Sequence, residues 1–217
     1  MITLLKKEFS LSLHPTSFFY PLFAAFVFIP DYPYEVAFFF CTLSVFLTCI
    51  TGRENGDLTF TSLLPVAKKD VAFARILSTV IMQFITLLLL NLFVVIKCAV
   101  PALSTPNVSG LDANIALNGI GLLIFGVFNI VFFIPYFTHP TKIGIPFFIS
   151  SILTFVIIGS SVTLATAVPA YQTYIDTPDH SYVGYKLVVV AVGLIVYIVL
   201  TLLAVKVSCK RFEKVNL

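Results

Sequence analysis

Three histidines, His14, His139 and His180, and four cysteines, Cys41, Cys49, Cys98 and Cys209, are the residues from which a metal centre or a redox pair would have to be built. Their spacing argues against both. No two cysteines stand in a C-x-x-C arrangement, and three of the four lie in apolar runs, where cysteine reads as a small buried hydrophobe. His14 and His139 each precede a proline, and no histidine joins a carboxylate at zinc-site spacing. No metal, disulfide or cofactor is expected. The Gly159-Ser160-Ser161 step would offer a serine nucleophile only beside a base, and no apolar segment carries a histidine to act as one. Small residues that let helices pack closely explain that step instead. Asn107-Val108-Ser109 fits a glycosylation acceptor pattern, which short sequences meet by chance. No catalytic residue is expected. The chain also lacks G-x-x-x-x-G-K-[ST], so any ATP hydrolysis must come from another subunit.

The charged residues that remain concentrate in one stretch, GRENGDLTFTSLLPVAKKDVAFAR, residues 52–75. Asp57 can cap a short helix in which Phe60, Leu63 and Leu64 share one face and Thr59, Thr61 and Ser62 widen the polar side. Pro65 ends it, and Asp70 suits the positive end of the next helix dipole. Two readings fit the pattern. Such a helix rests on headgroups, with Lys68 and Lys69 on anionic lipid, or it projects as a knob that a soluble motor grips.

The elements that carry this stretch follow from composition. With 59% hydrophobic and 11% charged residues and a mean hydropathy of +1.05, the chain is an integral membrane protein. A crossing takes about 20 apolar residues, so the length allows about six. Six apolar segments are visible, at 17–29, 36–50, 76–100, 113–137, 143–168 and 187–205. The first is short, covering about 20 Å of a ~30 Å hydrocarbon core at about 1.5 Å per residue. It must extend toward His14, thin the bilayer or be re-entrant. No A-x-A-like cleavage site precedes Asp31, so this segment is not read as a signal peptide.

Orientation follows from the basic residues. With the N-terminus cytoplasmic, Lys6, Lys7, Arg53, Lys68, Lys69, Arg75, Lys142, Lys206, Lys210, Arg211 and Lys214 all fall inside, and Lys97 and Lys186 are left near the outer face. Asp31, Glu35, Asp112, Asp176 and Asp179 then lie outside, beside an aromatic belt of Tyr32, Tyr34, Tyr171, Tyr174, Tyr182 and Tyr185. The spans contain almost no ionisable residue, which disfavours a proton-coupled carrier or a charged-ring channel. Gln83, Asn91, Asn118 and Asn129 read as hydrogen-bond partners between helices. The 23 phenylalanines suit either an aromatic translocation surface or lipid contact. LHPTSFFYPLF (13–23) and THPTKIGIPFF (138–148) share H-P-T, Pro and Phe in register, which ordinary helix-start chemistry accounts for.

The order of elements and the loop pattern E-x-x-x-x-x-F-x-x-x-L-P-V-x-K-K-D, carried by Glu54, Phe60, Leu64, Pro65, Val66, Lys68, Lys69 and Asp70, resemble ABC-2 type permeases of ABC transporters. Ala74-Arg75, Pro135 and Lys142-x-Gly144 add to the likeness, which is greatest to small bacterial permeases that export amphipathic peptides such as phenol-soluble modulins. Ala67 stands where such loops often have Ser or Thr. The resemblance implies an all-α membrane protein with both termini cytoplasmic. Its parts would be an elbow helix within 1–15, spans 1–2 within 16–51, a coupling-helix loop at 52–75, spans 3–6 within 76–205 and a tail at 206–217. It implies that Glu54, Asp57, Phe60, Leu63, Leu64, Lys68 and Lys69 contact a separate ATPase subunit. A second permease copy or paralogue, the lipid bilayer of the plasma membrane and an amphipathic peptide would be the other partners, and no nucleic acid is expected. A motor-free channel or carrier, and a membrane scaffold or insertion factor, stay open beside this reading.

Overall fold

The computed structural model of the chain describes residues 1–100, 103, 107–177 and 182–215; Asp179, expected on the outer side, and His180 are not among them. Among the described residues every regular element is helical. The chain opens with α1 (Ile2–Lys7), which runs directly into a π-helical turn over Glu8–Ser12. Sequence periodicity puts Leu5, Phe9 and Ser12 or Leu13 on one stripe beside Lys6, Lys7 and Glu8; of these Ser12 is buried and so is Glu8, while Ile2 and Leu11 are strongly exposed. The wider π winding departs from the 3.6-residue period on which that stripe rests.

Between Ile2–Ser12 and the next segment, Pro15–Phe28, the path bends by 104°. Pro15 and Pro21 remove two backbone donors, and the segment winds as 3₁₀ helix over Pro15–Phe18 and Tyr20–Phe28. The His14 ring caps it, accepting from the Thr16 amide at 3.3 Å. Tight winding relieves the shortness of the first apolar segment, because residues 15–28 would reach roughly 28 Å at about 2.0 Å per residue, against roughly 21 Å at about 1.5 Å.

The remaining helices are α2 (Val36–Glu54), α3 (Asp57–Leu63), α4 (Lys68–Ala99), α5 (Ala116–Thr138), α6 (Gly144–Ala167), α7 (Pro169–Tyr174) and α8 (Val183–Phe212). Five of them, α2, α4, α5, α6 and α8, are long and apolar enough to cross a membrane, and the bent N-terminal pair makes up to six. The expected six segments, the first of them short, thus resolve into five regular helices and one broken element. The two H-P-T segments also part company, since the first is 3₁₀ and the second opens an α-helix.

α5 is the innermost span, packed chiefly on α8 and also on α6, α4 and α2. Glycines set the α5–α8 distance. A Cβ on Gly119 would stand 2.6 Å from the Val189 carbonyl oxygen, one on Gly193 would overlap the Gly119 carbonyl, and one on Gly126 would stand 3.0 Å from the Tyr197 Cα. This is small-residue packing of the kind expected in lipid. It does not occur at Gly159, where a Cβ would meet nothing within 4 Å. The close-packing role assigned above to Gly159-Ser160-Ser161 is therefore corrected: Ser160 bonds back to the Val156 carbonyl, and Ser161 donates to Glu35.

Phenylalanine builds the interior. Phe128, Phe132 and Tyr136 stack along α5 with centroids 4.9 and 5.7 Å apart, and Phe125, Phe133 and Phe137 are buried with them. Part of the aromatic content is therefore core, while Phe18, Phe19, Phe84, Phe148 and Phe155 stay exposed. Gln83, Asn129, Thr201 and Tyr197 tie α4, α5 and α8 through bonds of 2.8 to 3.2 Å, and Asn91 and Asn118 exchange two amide bonds of 2.9 Å. In lipid these polar groups have no water to fall back on, so they find each other.

Candidate functional site

The stretch between α2 and α4 is placed by backbone chemistry first. Asn55 and Gly56 turn the chain after α2, and Gly56 adopts φ 64°, the left-handed conformation that glycine takes at little cost. Gly56 is the N-cap of α3. The expected capping by Asp57 is corrected, because Asp57 is the first helical residue and its carboxylate is drawn away from the helix end. Leu64 is extended, as the residue before Pro65 must be. α4 begins at Lys68, earlier than the apolar run suggests. Its 32 residues make about 48 Å of helix, longer than a ~30 Å hydrocarbon core, so one end has turns to spare.

Arg75 lies roughly two turns inside α4 and is 1% exposed. Its Nε donates to Glu8 Oε2, its Nη2 to Asp57 Oδ2 and, at 3.4 Å, to Glu8 Oε1, and its Nη1 to the Tyr136 hydroxyl at 3.5 Å. Lys7 closes the cluster, with Nζ 2.5 Å from Asp57 Oδ1 and 3.2 Å from Glu8 Oε1, and Ser12 Oγ donates to Asp57 Oδ2 at 3.2 Å. Two cations meet two carboxylates, so the cluster is neutral. Five elements at this end are pinned by it: α1 through Lys7, the π turn through Glu8 and Ser12, α3 through Asp57, α4 through Arg75, and α5 through Tyr136. Gly52 leaves the room, since a Cβ there would stand 3.4 Å from Arg75 Nη1. Burial alone would raise the Asp57 carboxyl, but Arg75 and Lys7 outweigh it and hold the group below its ordinary range.

With its inner side pinned, α3 turns its other side outward. Leu58 and Thr61 are buried, whereas Phe60, Leu63 and Leu64 are 65%, 81% and 44% exposed. A cleft of about 710 Å³ runs between this loop and α1, walled by Met1, Leu4 and Leu11 on one side and Phe60, Leu64 and Pro65 on the other. Of the other residues singled out from sequence, Glu54 is exposed and only loosely paired with Arg53 at 3.9 Å, and Lys69 is exposed. Two are not free surface. Asp57 is committed to the ion cluster, and Lys68 donates to the Val215 carbonyl at 2.6 Å, fastening the loop to the chain after α8.

Sequence reasoning placed Arg75 among the cytoplasmic basic residues and missed its pairing with Glu8. One signal was available: an arginine set in the apolar run V-A-F-A-R-I-L needs a partner in a membrane protein, and Glu8 is the acid of the N-terminal segment. The opposite end holds other buried charge. Glu35 accepts from Ser161 at 2.7 Å, and Lys97 donates to the Tyr34 hydroxyl at 2.6 Å. Both residues stand where the sequence reading put them, Glu35 in the turn before α2 and Lys97 in the last turn of α4, but both are buried there. Among the described residues no three His, Cys, Asp or Glu side chains converge on a metal position.

No family model, curated protein or solved structure matches this chain. Its own geometry therefore carries the functional reading.

Proposed function

We propose that this chain is the permease subunit of an ATP-binding cassette exporter. In this reading six spans place both termini in the cytoplasm of a plasma-membrane protein, residues 4–13 form the elbow helix, and α3 is the coupling helix that docks on a separate ATPase. A second permease copy or paralogue completes a path for an amphipathic substrate, a peptide by the family likeness. The observation that supports it is the combination at α3: three large apolar side chains held out of the loop, and an ion cluster that ties the same helix rigidly to α1 and α4. A lever has to be both gripped and stiff. Nucleotide-driven motion of α3 would pass through Asp57 and Arg75 into the longest span.

The test uses the chain co-expressed with its cognate ATPase. The complex should co-purify and turn over ATP, and the permease alone should not. Phe60 has 65% of its surface to lose on docking. Full burial of a phenylalanine side chain is worth about 1.5–3 kcal/mol, so Phe60→Ala removes about 1–2 kcal/mol of contact. Leu64→Asp adds a buried charge. Both should cut ATPase pull-down while membrane insertion persists. Unchanged pull-down and turnover in Leu64→Asp would remove α3 as the docking element, and ATP hydrolysis by the purified single chain would overturn the assignment. Orientation is checked separately: a cysteine at Asn55 should be shielded from an impermeant reagent in intact cells, and outside labelling there reverses the topology.

A further inference from the structure

The C-terminal end of α8 carries a feature that the motor-docking reading leaves unused. Leu203, Lys206, Val207, Lys210, Arg211 and Lys214 line an open groove of about 500 Å³. The spacing of Leu203, Lys206, Val207, Lys210 and Lys214 keeps them on one helical face, so apolar and cationic groups alternate along one line. Arg211 reaches the Thr138 hydroxyl at 3.3 Å, and among the described residues no carboxylate pairs with any of the four cations. Glu213 is the acid close by in sequence, and it is exposed outside the groove.

What lies next to the groove identifies its occupant. Going back along α8, Leu203, Leu202, Val199 and Ile195 are 44%, 63%, 49% and 62% exposed, and α8 as a whole is among the least covered of the five spans. Val192 and Val188, 55% and 60% exposed, continue the same line, so an apolar face roughly 22 Å long runs straight into a cationic pocket at the end of that span. A soluble anion would use the cations and leave the aliphatic floor idle; a neutral lipid would use the floor and leave four charges unpaired. We propose that this groove is a binding site for an anionic phospholipid. Its phosphate sits among Lys206, Lys210 and Lys214, and its acyl chains lie along the exposed face of α8. Basic pockets at the membrane boundary recognise such headgroups, each cation contributing about fivefold in affinity. The inference needs α8 to cross the bilayer and does not depend on an ATPase partner.

The experiment is native mass spectrometry of the full chain released from nanodiscs containing equal phosphatidylglycerol and phosphatidylcholine. The wild type should retain phosphatidylglycerol selectively, and should lose it as salt is raised during extraction. Lys206→Gln with Lys210→Gln should weaken retention roughly 25-fold, at about fivefold per cation. Lys142→Gln, at an exposed lysine outside the groove, should leave it unchanged. Equal retention of the two lipids, salt-independent retention, or full retention in the double variant would each overturn the proposal. Displacement of the lipid by millimolar inorganic phosphate would show an oxyanion site without lipid selectivity and would also overturn it. If the double variant fails to fold, the salt dependence and lipid preference of the wild type decide alone.

Discussion

Replacing Arg75 by methionine tests the ion cluster most directly. The side chain is 1% exposed and faces Glu8, whose side chain is 2% exposed, so the Glu8 carboxylate it leaves behind cannot turn to water. Lys7 alone would then face both Glu8 and Asp57, and the buried cluster would carry a net negative charge. Breaking a buried pair from one side costs about 3–5 kcal/mol. Arg75→Met should therefore destabilise the chain by about that amount, read from the midpoint of unfolding as SDS is titrated into mixed micelles. Glu8→Gln should cost less, because Asp57 still meets Arg75. The double variant decides the issue. If Arg75 and Glu8 act as a pair, the two effects fall short of additivity by about 1–3 kcal/mol, whereas independent sites add within about 0.5 kcal/mol. Protease access to residues 55–66 should rise in Arg75→Met before the spans unfold, since α3 loses its anchor. Acid gives a further reading. The folded Asp57 carboxyl lies below its ordinary 3.8, so its contribution is fully present above that value and is lost only as pH falls through the lower folded one. The anchor should be unaffected between pH 7 and pH 5. Additive single effects together with unaltered loop protection would refute the account of the cluster.

Two other expectations concern packing and the opposite end. Gly193→Ala should destabilise by about 2–3 kcal/mol through overpacking against the Gly119 backbone, while Gly159→Ala should be neutral or stabilise by up to about 1 kcal/mol; the same SDS titration compares them, and equal effects would refute the α5–α8 seam. Asp176, whose carboxylate accepts from the Asp112 amide at 2.6 Å, is pushed up to about 6 by burial and by the Asp112 carboxylate. A raised folded value means the contribution is fully present below the unfolded carboxylate range and is lost as pH rises through about 6. Stability should thus increase on lowering pH from 7 toward 4, and Asp176→Asn should flatten that slope.

Hydropathy made the long helices legible because lipid imposes one rule on every residue of a span. The positions of α5, α6 and α8 follow from it, and so do the interhelical bonds of Gln83, Asn91, Asn118 and Asn129. Pro65 marked the end of α3 for a local reason, the restriction that proline places on Leu64. What was not legible is long in range. Glu8 and Arg75 stand 67 residues apart, and no periodicity links them. The π turn that swings Glu8 and Ser12 inward answers to that partner rather than to local propensity. For the same reason Asp57 reads as a cap from its neighbours and becomes an ion-pair partner in the fold: the glycine before it can cap, and Arg75 has no other acid on α3 to meet.

The cluster also bears on how the loop is used. Two buried charges, Arg75 and Glu8, with the half-buried Lys7 and Asp57 beside them, stabilise a fold less than apolar residues of equal volume would, because the desolvation of each buried ion offsets most of its attraction. What such a cluster supplies is position, since Arg75 meets Glu8 and Asp57 only in one register of α1, α3 and α4. A loop that merely rested on headgroups would gain nothing from fixed register, and it would turn Phe60, Leu63 and Leu64 toward acyl chains under any tilt. On the permease reading proposed above, the clamp beneath those three residues is what would let force pass through α3. The Arg75→Met variant separates the two uses: it should uncouple ATPase turnover from substrate movement if α3 transmits, and leave both unchanged if α3 only floats.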